Sequence, residues 1–246
     1  DVRRRFLDGL IAQFDRAYLE ALMRYNRALA QRNVLLKNMR QGGGGNRSTT
    51  EPWDEQLIVQ GEAVHAVRKA FMDELMPLLA SHYAGITSGP ETVELGYKSE
   101  LGERSMRDIL AEHWQRDLGA EHTTGGIHKD DLVFTIGGQP LKRYGSQGQQ
   151  KTYLIALKLA QFDLTAQRSG MRPILLLDDI FDKIDPLRMR HLLKLLGGGR
   201  FGQVIITDTD AGRLHTALDG LPLETRFFEL AHAPQEQQRT VVEGGA

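Results

Sequence analysis

The chain of 246 residues carries 31 Lys and Arg against 32 Asp and Glu, and it contains no cysteine. A disulfide scaffold, a zinc–thiolate site and a cysteine nucleophile are therefore excluded. No apolar run approaches the roughly 20 residues that a membrane span needs, and the first residues do not lead into a signal-peptide core. We expect a cytoplasmic protein of one large domain or two small ones, with no membrane partner.

The front of the chain is basic and is predicted to begin with one long helix. Residues 1–50 hold ten Lys and Arg against four Asp and Glu, whereas the remainder holds 21 against 28. Apolar residues recur at intervals of three, four and seven between Leu7 and Leu36, which places them on one face of a helix over about residues 8–40. The glycines at 42–45 cannot continue that helix, so we expect a turn there.

A second apolar stripe predicts another long helix after this turn, antiparallel to the first. Hydroxyl side chains at 48–50 are suited to cap its start, and Pro77 predicts a kink or an early end. Residues 92–99 alternate as a strand does, and residues 104–118 have the pattern of an amphipathic helix. We assign residues 1–118 to a helical arm.

Residues 119–246 are predicted to form an α/β unit. A strand, a glycine turn and a returning segment over about 132–141 precede a helix from about 149 to 167. Apolar runs at 174–177 and 204–207, separated by another helix, have the composition of strands that are buried on both faces. Helix, strand, helix, strand is the pattern of parallel β/α units.

Two acidic residues, Asp178 and Asp179, directly follow the first of these apolar runs. Open α/β sheets bind ligands at the carboxyl ends of their strands. A first carboxylate there can hold Mg²⁺ through a water, and a second can polarise an attacking water in phosphoryl transfer. The alternative is that acidic residues only mark the exit from an apolar strand.

The helix that leads to this strand opens with Ser146-Gln147-Gly148-Gln149. Ser-x-x-Gln is a capping box, in which both side chains satisfy free backbone amides at a helix start. A hydroxyl and a glycine at a helix N-terminus also let backbone amides approach a phosphate closely. The two interpretations are compatible.

Two further motifs have simple structural interpretations. Asp185, at the end of Asp182-Lys183-Ile184-Asp185, precedes Pro186 and fits the N-cap of a helix that follows a loop. His128, in the turn Gly126-Ile127-His128-Lys129, is interpreted as a hydrogen-bonded turn residue. The other histidines have no metal-ligand spacing.

The order of these motifs resembles the carboxyl-terminal half of the RecF family, which are recombination-mediator ATPases of the ABC/SMC superfamily. The motifs that carry the resemblance are the turn with His128, Tyr144 to Lys151, Ile174 to Asp179, Asp182 to Asp185, and Val204 to Thr209. The front resembles the helical arm of that family through Arg3-Arg4-Arg5-Phe6-Leu7-Asp8 and the basic helix that bears Tyr25-Asn26. The resemblance implies the second half of an ABC-type ATPase core with a mostly parallel sheet, preceded by an α-helical hairpin arm.

The resemblance also implies a role for each matching residue. Asp178 would be the Walker B carboxylate for Mg²⁺, and Asp179 the acid that orients the hydrolytic water. Asp182 to Asp185 would be the D-loop that crosses a dimer interface, with Asp185 as a contact, and Thr207 occupies the switch position, where the usual histidine is absent. The signature motif, which closes in trans on ATP held by the other protomer, would be Ser146, Gln147, Gly148 and Gln149.

The implied function is that of a recombination mediator that dimerises with ATP on single- and double-stranded DNA, in DNA repair, replication restart and the SOS response. Its implied partners are a second copy of itself and mediator proteins of the RecO and RecR type. DNA contacts are expected from the basic residues of the front, for which the alternative is a solvated helix face. These residues are Arg3, Arg4, Arg5, Arg16, Arg24, Arg27, Arg32 and Lys37.

The chain contains no Gly-x-x-x-x-Gly-Lys-Ser/Thr string, the P-loop that cradles nucleotide phosphates. In the family this motif precedes the arm, so we expect a carboxyl-terminal portion that neither binds ATP tightly nor hydrolyses it alone. The complete protein would be a weak DNA-dependent ATPase. Two alternatives stay open: half of another SMC- or ABC-type ATPase, and a non-catalytic partner-binding module with vestigial carboxylates.

Overall fold

The computed structural model describes residues 2–42, 45–87, 89–180, 183–222, 224–230 and 241–244. Its α-helices are α1 Val2–Ala12, α2 Arg16–Arg40, α3 Glu51–Ile86, α4 Met106–Glu112, α5 Trp114–Ala120, α6 Leu141–Tyr144, α7 Gln147–Ser169, α8 Pro186–Leu196 and α9 Ala211–Leu218. Its strands are β1 Val93–Lys98, β2 Asp131–Ile136, β3 Gln139–Pro140, β4 Leu175–Asp178, β5 Val204–Thr207, β6 Phe227–Leu230 and β7 Val241–Gly244.

The front of the chain is a helical hairpin whose first half is broken. The prediction of one helix over 8–40 is wrong, because α1 ends at Ala12 and α2 begins at Arg16. Asp15 caps α2, since its side chain accepts a hydrogen bond from the backbone N–H of Tyr18 at 2.8 Å. The apolar stripe runs through this break, so periodicity alone could not reveal it.

The second half of the hairpin is longer than expected. α3 continues past Pro77 to Ile86, so the predicted early end is wrong. Thr50 precedes the helix without a side-chain capping bond, and its hydroxyl donates instead to the carbonyl of Arg47. The predicted helix over 104–118 is divided at His113 into α4 and α5.

The described strands form three sheets, of which the one at the end of the chain is the antiparallel pair β6 and β7. β1, β2 and β3 form an antiparallel sheet, and β4 pairs with β5 in parallel, with Leu175 opposite Val204. The predicted parallel unit is therefore confirmed. The prediction that both strands are buried on both faces is wrong, because Leu176 is 68% exposed and Ile205 is 45% exposed.

The arm and the rear of the chain share one apolar core. Tyr153 of α7 packs against Tyr83 of α3 and edge-on against Phe134 of β2, with ring centroids 6.3 and 5.7 Å apart. β1 precedes the predicted domain boundary at residue 118 and pairs with β2, which follows it. The division into two domains at that residue stays a prediction. Within the described ranges, no helix is long and apolar enough to cross a membrane.

Candidate functional site

Asp178 and Asp179 lie at the carboxyl end of β4, and both are exposed. Asp178 is opposite Thr207 in the parallel ladder, and the Thr207 hydroxyl donates a hydrogen bond to Asp178 Oδ1. The backbone N–H of Asp179 donates to the hydroxyl and the carbonyl oxygen of Thr207, at 3.2 Å each. The neighbouring strand thus orients a solvent-facing pair of acidic residues.

The backbone of Asp179 is held in an unusual conformation. Its φ angle is 45°, in the left-handed region, which costs an L-residue roughly 1 kcal/mol. Its carbonyl accepts a hydrogen bond from Lys151 Nζ at 2.6 Å, so both the backbone N–H and the backbone carbonyl of Asp179 are hydrogen-bonded. Because Lys151 lies near the start of α7, this bond also places that end of α7 beside the end of β4.

The oxygen donors at this end of the sheet fit Mg²⁺ in kind. Carboxylate and hydroxyl oxygens are hard ligands, and Mg²⁺ in nucleotide sites is held by one or two carboxylates together with waters and phosphate oxygens. Over the described ranges, no group of three or more His, Asp or Glu side chains could hold a metal ion. Asp178 and Asp179 can supply the carboxylate ligands of such a nucleotide-bound ion.

α7 begins with the predicted capping box, which is confirmed. Ser146 Oγ accepts from the backbone N–H of Gln149 at 3.2 Å, and Gln149 Oε1 accepts from the backbone N–H of Ser146 at 2.8 Å. Gly148 lies in this first turn, where a Cβ atom would approach the carbonyl oxygen of Lys183 to 3.1 Å. A side chain at this position would therefore require the carbonyl of Lys183 to shift. Phosphate binding by this turn, Gln147 included, stays a prediction.

Asp185 caps α8 as predicted. Its Oδ1 accepts from the backbone N–H of Arg188 at 2.9 Å, and Pro186 is in the first helical turn. Asp182 lies outside the described residues. The close approach of Lys183 to Gly148 places the segment before α8 against the start of α7. A D-loop role for this segment, and for Asp185 within it, remains a prediction.

The connection after β5 contains an ion pair that sequence reasoning missed. The side chain of Asp208 is buried and accepts from Arg213 Nη2 at 2.5 Å and from the backbone N–H of Asp210 at 2.8 Å. Burial raises the pKa of Asp208, but these hydrogen bonds outweigh it and leave the pKa below its usual value. The ion pair restrains the backbone directly after Thr207, and no motif in the sequence predicts it.

Glu91 is a second residue that sequence reasoning missed. Its carboxylate accepts hydrogen bonds from Tyr83 of α3, Gln149 of α7 and Arg188 of α8. An isolated acidic residue in a loop carries no sequence signal of this kind. Three elements that are distant in the chain therefore meet at one carboxylate beside the first turn of α7.

His128 is a turn residue, as interpreted. Its Nε2 lies 3.0 Å from the carbonyl oxygen of Thr123 and its Nδ1 lies 2.8 Å from the hydroxyl of Tyr25. Because a carbonyl only accepts, Nε2 carries the proton and Nδ1 accepts from Tyr25. Burial lowers the pKa of His128 to about 4, so the ring is neutral near pH 7.

The basic residues of the front do not all face solvent. The expectation of a DNA contact at Arg32 is wrong, because its side chain is 0% exposed and pairs with Asp54 and Asp117 at 2.6 Å each. Arg3 forms an ion pair with Asp131 at 2.7 Å, and Arg4 donates to a backbone carbonyl. The candidates that stay exposed are Arg3, Arg5, Arg16, Arg24, Arg27 and Lys37, while Arg4 is half-buried.

No family model matches the chain. The DNA replication and repair protein RecF of Phocaeicola vulgatus is 42% identical over 244 residues, which are 99% of this chain and 65% of that relative. RecF of Parabacteroides distasonis is 46% identical over 94% of this chain and 62% of its own length. The chain thus spans less than two thirds of the curated relatives that it matches.

The comparison with solved structures also finds similarity to RecF. A structure of the recombination mediator protein RecF with ATP, in the RecFOR pathway, matches with a TM-score of 0.73 at 29% identity, over 85% of this chain and 58% of that chain. A Smc head domain with an extended coiled coil from Pyrococcus furiosus matches at 15% identity with a TM-score of 0.50, which shows the fold alone. The predicted fold, an ATPase-head α/β unit with a helical arm, is confirmed. On this similarity in sequence and fold, the chain belongs to the RecF family.

Proposed function

We propose that this chain is part of an ATP-dependent, dimerising, DNA-binding recombination mediator that acts in DNA repair and replication restart. One arrangement carries the proposal: the exposed Asp178–Asp179 pair is oriented by Thr207 and lies beside the capped start of α7. RecF relatives and the structure of RecF with ATP support it.

Each residue of this arrangement has a proposed task. Asp178 holds Mg²⁺ and Asp179 orients the water that attacks the γ-phosphate. The start of α7, with its signature residues Ser146–Gln149, offers backbone amides to the γ-phosphate of a nucleotide that the partner protomer holds. Bound Mg²⁺ and ATP would supply the charge that links the two protomers. Because only the closed dimer makes both sets of contacts, ATP favours that state.

The complete gene product with Asp179→Asn tests this assignment. We expect ATP-dependent dimerisation to persist while turnover falls by at least about 100-fold, the usual contribution of a positioned acid or base. Asp178→Asn should also raise the Mg²⁺ concentration required for dimerisation. Asp219→Asn, a change of the same charge at an exposed residue after α9, is the matched control. Unchanged turnover in Asp179→Asn would remove the proposed role.

The exposed face of α2 is the proposed DNA contact on the arm. Arg16 and Arg24 pair with Glu20 at 3.1 and 3.8 Å, respectively. Arg27 and Lys37 are also exposed, and Glu20 is the only acidic residue in the sequence of α2. Arg27→Ala should weaken binding to single- and double-stranded DNA alike and lower the salt slope of log Kd by about one. An unchanged salt slope for Arg27→Ala and for Lys37→Ala would exclude this face.

RecO- and RecR-type mediator proteins are the proposed protein partners, on the basis of the RecFOR pathway named for the solved relative. These 246 residues include no P-loop, so we expect turnover only in the complete gene product. Co-sedimentation of the complete gene product with each purified mediator protein, with and without ATP, tests the partners.

A further inference from the structure

Glu91 lies in the short segment between α3 and β1, and its carboxylate joins three elements. It accepts from the hydroxyl of Tyr83 at 2.7 Å, from Gln149 Nε2 at 3.0 Å and from Arg188 Nη2 at 3.3 and 3.5 Å. The side chain is only 28% exposed. Burial raises the pKa of Glu91, but its hydrogen bonds and the charge of Arg188 outweigh burial and hold the pKa below its usual value. The group is therefore a carboxylate at neutral pH.

A carboxylate at this point determines how the side-chain amide of Gln149 is turned. An ionised carboxylate accepts hydrogen bonds and donates none, so the NH₂ group of Gln149 faces Glu91. The carbonyl oxygen Oε1 then faces the backbone N–H of Ser146 and closes the capping box at 2.8 Å. Glu91 thereby fixes the first turn of α7 through one of its side chains.

The same carboxylate also restrains the segment before α8. Arg188 lies between Glu91 and Asp185, with Nε 3.3 Å from Asp185 Oδ2. Arg188 Nη1 also lies 3.8 Å from the position that a Cβ atom on Gly148 would take. Glu91 thus reaches the signature turn directly and the end of the predicted D-loop through one arginine.

We infer that Glu91 is a positioning residue that holds the signature turn at Ser146–Gln149 and the segment at Lys183–Asp185 in one fixed relation, so that a second protomer meets them as a single surface. This inference rests on the proposed function, because it concerns the same trans-acting site. Through Tyr83 the carboxylate also connects this surface to α3 of the arm.

Glu91→Gln in the complete gene product tests the inference, with Glu94→Gln on the exposed face of β1 as the matched control. Loss of a charged hydrogen-bonding partner should raise the ATP concentration for half-maximal dimerisation on the order of tenfold. Nucleotide affinity of the monomer, measured with a fluorescent ATP analogue, should match the wild type, because the residue restrains the trans-acting surface only. Thermal unfolding measured beside both reports whether the variant folds.

An exchange of the two side chains separates positioning from general damage. Gln149→Glu alone places two carboxylates face to face and should impair dimerisation at least as strongly as Glu91→Gln. The double variant restores one amide–carboxylate hydrogen bond of reversed direction, and a carboxylate at 149 still closes the capping box. We expect the double variant to dimerise better than either single variant.

Two results would overturn the inference while leaving the proposed function intact: dimerisation of Glu91→Gln equal to that of the wild type, or a double variant as impaired as the two single effects combined. If the wild-type protein itself shows no ATP-dependent dimer, the proposed function fails and takes this inference with it.

Discussion

Replacement of Thr207 by valine would test how the acidic pair is oriented. Valine keeps the shape of the side chain but loses the hydroxyl that donates to Asp178 and accepts from the N–H of Asp179. A hydrogen bond to a charged group contributes roughly 1.5–3 kcal/mol when buried. Thr207 and Asp178 are exposed, and the N–H of Asp179 keeps the carbonyl of Thr207 as an acceptor at 3.2 Å, so we expect the lower end, about 1.5 kcal/mol.

The loss of about 1.5 kcal/mol in Thr207→Val corresponds to a roughly tenfold lower kcat/KM for ATP and a roughly tenfold higher Mg²⁺ concentration for half-maximal activity. Steady-state ATPase assays of the complete gene product over a Mg²⁺ titration measure both. Thr207→Ser retains the hydroxyl and should remain within about twofold of the wild type, a small free-energy change. Thr216→Val removes an exposed hydroxyl on α9 and should change neither value. Activity of Thr207→Val equal to that of Thr207→Ser would refute the reasoning.

Three further predictions concern stability and packing. Arg32→Met should lower the free energy of unfolding by about 3–5 kcal/mol in urea denaturation, because it leaves the buried carboxylate of Asp117 without its cationic partner. Because of His128, the free energy of unfolding should decrease by up to about 3 kcal/mol as the pH is lowered from 6.5 to 4, since on acidification the unfolded chain takes up a proton before the folded chain does. Gly148→Ala should weaken ATP-dependent dimerisation, because its Cβ would press on the carbonyl of Lys183 at 3.1 Å.

Each of these predictions has its own control and its own contrary result. Arg27→Met changes an exposed arginine on the same helix, and equal destabilisation by both variants would show that the ion pairs at Arg32 contribute nothing. His128→Gln should flatten the pH profile, so an unchanged profile would assign the effect to other groups. Gly9→Ala adds a methyl group to α1 with no atom within 4 Å, and equal dimerisation of both alanine variants would argue against tight packing at Gly148.

Local signals in the sequence predicted much of the fold. The capping residues Ser146 and Asp185 act on amides three residues away, so their structural roles could be read from spacing. The parallel ladder could be predicted because apolar runs alternated with helices. Asp15 carries a similar capping signal, but the apolar stripe that continues through it favoured an unbroken helix.

Contacts between distant residues could not be predicted in this way. Arg32 and Asp117 are separated by 85 positions, and the sequence alone presents Arg32 as one more cation on a basic helix. Glu91 and Gln149 are 58 positions apart. Residues of this kind take their role from packing, which brings together side chains that no common pattern relates.

The central claim is that the acidic pair of one protomer and the signature turn of another serve the same nucleotide, and mixed dimers test it most directly. In the complete gene product, Asp179→Asn and Ser146→Arg should each abolish turnover alone. A two-fold dimer of one copy of each variant would contain one intact composite site, so an equal mixture should regain roughly a quarter of wild-type activity. A mixture as inactive as its components would show that the two motifs act within one protomer and would contradict the account.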